Sequence, residues 1–206
     1  MLSHIKSGMK KSVILAVVIM LFSSFELKAQ FKETAVPDYY LQYVPAAADI
    51  GLGLLGVKSR NPLPDRLIAA GVGYIAEAIM VNSIKFVIRE ERPDGSAYNS
   101  FFSGHSATAF LGAELVRHEY GWGWGAAAYT VATSVAVLRV YHKRHYWWDT
   151  VAGAGCGILS ANIGYWTLKP VKRLFGIEIP ETVLASVYPE ADPFLGSYGL
   201  ALNITF

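Results

Sequence analysis

Three short blocks of cationic and titratable side chains, separated by apolar runs of helical length, constrain this chain more than any other feature. The first is Lys85 with Arg92-Pro93 beyond six intervening residues. The second is Ser103-Gly104-His105. The third is Arg139, His145 after five intervening residues, and Asp149 after three more. The runs between them read as helices over 66–88, 103–120, 126–140 and 149–166. Pro93 ends the first, because proline disfavours helix at the residue before it. Ser103 is a good N-cap for the second. The glycines at 121, 123 and 125 mark a turn between the second and third. If successive helices run antiparallel, every block falls at one end of the bundle.

The residue types suit one kind of chemistry, holding a tetrahedral oxyanion and attacking it. Lys85, Arg92 and Arg139 can neutralise a phosphate, arginine's fork matching two of its oxygens at once. A histidine with a carboxylate four residues on, His145 with Asp149, can act as a nucleophile whose tautomer the carboxylate fixes. A second histidine, His105, can protonate a leaving oxygen. Ser103 and Gly104 open a helix, and the free N–H groups of a helix N-terminus attract anions.

The blocks Lys85-x6-Arg92-Pro93, Phe102-Ser103-Gly104-His105 and Arg139-x5-His145-x3-Asp149 resemble the three-part signature of the phosphatidic acid phosphatase type 2 superfamily. The resemblance covers about a third of the chain. Two positions depart from the family pattern: Phe102 stands where proline is usual, and Leu138 precedes Arg139 where serine is usual. Neither change removes a charged or titrating group. The resemblance implies a metal-independent phosphatase without a cofactor. His145 would form a phosphohistidine, Asp149 would orient it, and His105 would act as acid and then base. Lys85, Arg92, Ser103, Gly104 and Arg139 would hold the phosphoryl oxygens. It also admits a vanadium-dependent haloperoxidase, since vanadate imitates phosphate, and a non-specific periplasmic acid phosphatase. A non-catalytic membrane scaffold is the remaining class.

Composition favours a membrane setting. Of the 206 residues, 53% are hydrophobic and only 17% charged, and mean hydropathy is +0.32. A net charge of +2 gives no argument for a nucleic-acid partner. The single cysteine, Cys156, forms no internal disulfide. Lys10 and Lys11, the apolar stretch 13–25 and Leu27-Lys28-Ala29 read as an export signal, so residues 1–29 are a signal peptide or a first membrane helix. Residues 30–176 are expected to form an all-α bundle of five to six membrane-associated helices, and 177–206 a β-like tail or hairpin.

Sidedness follows from the same pattern. Lys58, Arg60, Arg66, Arg117, Lys169, Lys172 and Arg173 gather at the end opposite the three blocks, and an excess of Lys and Arg marks the cytoplasmic side. The block-bearing end is therefore expected to face the periplasm from a bacterial inner membrane. A phosphorylated envelope lipid, with lipid A or undecaprenyl pyrophosphate favoured, is then the expected substrate. The pattern leaves the choice of lipid and the oligomeric state open. Other polar residues carry no chemical assignment: His142 is read as a loop residue and His118 as solvated.

Overall fold

The computed structural model describes residues 37–177, 184–192 and 197–205. The export-signal reading of residues 1–29 lies outside them. The described part is a helical bundle: α1 (Pro37–Leu41), α2 (Val44–Leu54), α3 (Leu63–Val87), α4 (Gly104–Tyr141) and α5 (Trp147–Phe175). A two-stranded antiparallel hairpin, β1 (Leu184–Asp192) with β2 (Ser197–Thr205), follows in register from Leu184 opposite Thr205 to Asp192 opposite Ser197.

α3 enters on Pro64 and Asp65, one with its ring preset for a first helical turn, the other complementing the helix dipole. It buries Ala69, Gly73, Glu77 and Val81, a stripe of four-residue spacing, against its neighbours. α4 is two limbs. Gly121 adopts φ 76°, ψ −172° and breaks it, a backbone geometry open to glycine at little cost. The limbs 104–120 and 122–141 fold back on each other there. The Arg117 guanidinium lies 5.3 Å from the Trp122 ring. Phe110 packs on Tyr129, their rings 5.8 Å apart. Ala109, Ala113 and Val116 of one limb form a buried cluster with Ala128, Ala132 and Val135 of the other. The expected glycine turn is therefore present, at Gly121.

α5 is the central strut and packs against both α3 and α4. Its small face allows this. A Cβ at Gly157 would strike the backbone of Ala107 and Leu111, and one at Gly153 the carbonyl of Ser103. Close packing of α5 thus fixes where α4 begins. α5 also runs further than expected, through Pro170 to Phe175. A proline there forfeits one helical hydrogen bond. The last turns are held nonetheless by buried Leu168, by the Lys172–Asp65 ion pair at 2.8 Å, and by Gly176, left-handed at φ 57°.

The end remote from the three blocks is polar and paired. Arg66 bonds the carbonyl of Asp49 and lies 3.1 Å from its carboxylate. Arg117 chelates Glu114 with bonds of 2.6 and 2.5 Å. Glu119 accepts from Asn61 and Tyr165. His118, expected to be solvated, instead stacks on Tyr165 at 4.1 Å and meets Asn162 at 3.2 Å.

Candidate active site

All three blocks meet at one end of the bundle. α3 delivers Lys85 in its last turn, and Arg92 follows in the loop, its N–H bonded to the carbonyl of Ala97 at 2.9 Å. α4 opens at Gly104 with Ser103 as N-cap, the Ser103 Oγ accepting from the Ser106 N–H at 3.3 Å. Its second limb returns Arg139, and the loop to α5 carries His145. Asp149 sits in the first turn of α5, where a helix dipole favours a carboxylate. The Ser103 N–H donates to the carbonyl of Asp149 at 3.0 Å, tying the second block to the third.

His145 is 2% exposed, and its hydrogen bonds define its tautomer. Nδ1 lies 2.8 Å from the Ser100 carbonyl, an acceptor only, so Nδ1 carries the proton. Nε2 is left with its lone pair and lies 3.4 Å from the Arg139 guanidinium. Asp149 acts partly at one remove. Its Oδ2 is 3.7 Å from Nδ1, and it accepts from the Ser100 hydroxyl at 2.5 Å and the Tyr146 N–H at 2.9 Å. Asp149 therefore braces the serine whose carbonyl orients the histidine.

Burial is the largest influence on both histidines, pushing each below the ordinary imidazole value. The charges of Arg139, Lys85 and Arg92 push the same way at both, and His145 adds to the effect at His105. The pull of Asp149 on His145 opposes this only in part. Five cationic or potentially cationic groups thus share one electrostatic field. His105 Nε2 is buried with no hydrogen-bond partner among the described residues, and its ring lies 6.0 Å from that of Tyr39. Ser103 Oγ accepts also from the Ser106 hydroxyl at 3.1 Å, which leaves its own hydrogen to give. Gly104, next in the chain, has its N–H at the helix start.

Sequence reasoning missed three contributors. Ser100 lies between two blocks and acts largely through its backbone, which no residue type advertises. Asp38, fully buried on α1, reaches Arg139 at 3.0 Å across 101 residues of sequence. His142 lies in the turn after α4, as expected, but its contact with Asp38 at 3.5 Å was not foreseen.

Comparison with known proteins bears on the family and the fold. The family model described as PAP2 superfamily matches residues 66–173. A curated relative from Porphyromonas gingivalis, "Lipid A 1-phosphatase", is 38% identical over 134 residues, which are 63% of this chain and 30% of that protein. The match thus spans less than a third of the relative's length. The crystal structure of Aquifex aeolicus LpxE superposes with a TM-score of 0.52 at 20% identity, over 63% of this chain and 83% of that one, a likeness of fold. A PAP2-type phosphatidylglycerolphosphate phosphatase from Bacillus subtilis aligns with a TM-score of 0.37 at 20% identity, over 80% of this chain and 98% of that one. With the family model spanning more than half of its length and all three blocks joined at one end of its bundle, the chain belongs to the PAP2 superfamily.

Proposed function

We propose that this protein is a phosphatase that hydrolyses a phosphate monoester or pyrophosphate of a membrane lipid through a phosphohistidine on His145. The observation that carries this reading is the His145 side chain: proton committed to Ser100 at Nδ1, lone pair held at Nε2 beside Arg139. Nε2 attacks phosphorus as the bond to the leaving oxygen breaks, and His105 gives that oxygen its proton. Water then attacks the phosphohistidine, giving a proton to His105 as the P–N bond breaks, and phosphate leaves. Lys85, Arg92, Arg139, the Ser103 hydroxyl and the Gly104 N–H hold the phosphoryl oxygens, most strongly as charge grows in the transition state.

Burial and the neighbouring cations push His105 well below the ordinary imidazole value, yet the first step needs its proton. A phosphate dianion among Lys85, Arg92 and Arg139 reverses the field that depresses it. Substrate binding then supplies the protonated form.

Two observations favour a lipid. Large apolar side chains ring the site end: Phe86, Tyr98, Tyr141, Trp147 and Trp148 are all exposed. A second set, Trp122, Trp124 and Trp166, is exposed towards the other end. On α5, Trp147 and Trp166 are separated by about 28 Å at the usual helical rise, close to the thickness of a bilayer's hydrocarbon core. Tryptophans at both levels suit the two interfaces of a membrane. α3 is long and apolar enough to cross one. The relative's name makes lipid A the first substrate to test, with undecaprenyl pyrophosphate second. The site end faces the periplasm in this reading, since Lys58, Arg60, Lys169 and Arg173 add to the cations at the opposite end.

The test is phosphate release by the protein in detergent with chelator present, from lipid A, undecaprenyl pyrophosphate and phosphatidic acid. Release from a lipid that disappears in His145→Ala supports the proposal. Release that survives the substitution sinks the phosphohistidine. Release only from a soluble ester sinks the lipid assignment.

A further inference from the structure

We infer that Asp38 is a positioning residue for the reaction, aiming the Arg139 guanidinium at the nucleophile and at the phosphoryl group it attacks. The inference rests on the phosphatase reading above. Asp38 lies on α1, ahead of residues 66–173 that match the family. The Asp38 carboxylate is fully buried, and Arg139 is 1% exposed. Its Oδ2 accepts from Arg139 Nη1 at 3.0 Å, while Nη2 of the same planar group sits 3.4 Å from His145 Nε2. Pinning one end of a rigid fork sets the direction of the other.

Stability alone is a poor account of such a pair. Two ions taken from water repay their desolvation only with excellent geometry, and apolar replacements often serve the fold as well. The charge balance gives a functional reason. Lys85, Arg92 and Arg139 all act on His105 and His145, and their mutual repulsion pushes the Arg139 guanidinium away from that heading. Asp38 supplies a fixed anion behind Arg139, so the guanidinium keeps its heading before the substrate arrives. His142, 3.5 Å from the other carboxylate oxygen, flanks the same anchor from the C-cap of α4.

Asp38→Asn keeps the shape of the side chain and removes its charge. Wild type and His145→Ala are assayed first on the lipid found above. An inactive wild type refutes the phosphatase reading itself, before Asp38 is tested. Given an active wild type, Asp38→Asn is expected to lower kcat by tenfold to a hundredfold, the order of loss when a catalytic group is displaced by about 1 Å. KM should change much less, thermal unfolding in detergent should shift down because the buried Arg139 charge loses its partner, and inhibition by vanadate should weaken in proportion to kcat/KM. The Asp38→Asn loss should shrink to less than twofold in an Arg139→Lys background, because both changes act on one group. Wild-type kcat in folded Asp38→Asn overturns the inference, and so does a loss of equal factor in both backgrounds. If Asp38→Asn does not fold, Asp38→Glu decides, since it keeps the charge but shifts the anchor. A lowered kcat with unchanged KM supports positioning, and wild-type kcat refutes it.

Discussion

At the scale of the residue, His145 is defined by what it cannot do. Its Nδ1 proton is spoken for by a backbone carbonyl, so its reactivity is concentrated at Nε2. Ser100 holds that arrangement twice, through its carbonyl to the histidine and its hydroxyl to Asp149. Ser100→Ala keeps the carbonyl but leaves the buried Asp149 Oδ2 short of one donor. The lost hydrogen bond to a charged group is worth about 1.5–3 kcal/mol. The expected outcome is a stability loss within that range together with a fall in kcat of about tenfold, read from thermal unfolding and steady-state kinetics side by side. The depressed histidines make a further prediction. If binding a phosphate analogue protonates His105, vanadate binding at pH 7 takes up protons. Calorimetric titrations in buffers of different ionisation enthalpy should give a positive proton uptake that His105→Gln abolishes. No buffer dependence in the wild type would exclude this account of the acid.

At the scale of the element, the glycines of α5 divide by what lies opposite them. Gly157 meets the backbone of α4, Gly153 meets the Ser103 carbonyl, and Gly155 meets nothing within 4 Å among the described residues. Gly155→Ala should therefore be neutral or stabilising by up to about 1 kcal/mol, as expected for replacing glycine inside a helix. Gly157→Ala should destabilise by about 1–3 kcal/mol through overpacking. Gly153→Ala should cost activity beyond its stability loss, because it pushes directly on the N-cap of the helix that carries His105. Thermal unfolding of the three variants, with kcat for Gly153→Ala, checks the ranking. Gly153, Gly155 and Gly157 stand at alternate positions in the sequence, so a face of small residues is legible there. Which of its glycines touches what was not, since α5 has one open side and only packing chooses it.

At the scale of the whole molecule, pH and orientation are the informative variables. Both site histidines have folded-state pKa values below those of the unfolded chain, so between the two values the unfolded chain binds more protons. Stability from these groups is fully present above about pH 6.5 and is lost as pH falls below it. The melting temperature should decline on acidification from pH 7 to pH 5.5, and less steeply in His105→Gln. Orientation can be read with thiols, because the single native cysteine, Cys156, is buried. Tyr98→Cys at the site end should react with a membrane-impermeant maleimide added to intact spheroplasts. Lys169→Cys at the far end should react only after lysis. The reverse pattern would invert the proposed topology.

The sequence by itself determined the superfamily and the end of the bundle where each block lies, because helix ends and starts alternate along it: Lys85 at an end, Ser103 at a start, Arg139 at an end, Asp149 at a start. Spacing alone brings such residues to one face of an antiparallel bundle, and the Gly121 turn was visible for the same local reason. Only the tertiary structure decided how the histidine is held. The expected direct bond from Asp149 is a 3.7 Å approach relayed by Ser100, and the anchor of Arg139 comes from Asp38, 101 positions earlier. A backbone carbonyl has no residue identity, and a lone carboxylate in an aromatic stretch has no local pattern. Their partners are chosen by the packing of distant helices, which the order of residues along the chain does not display.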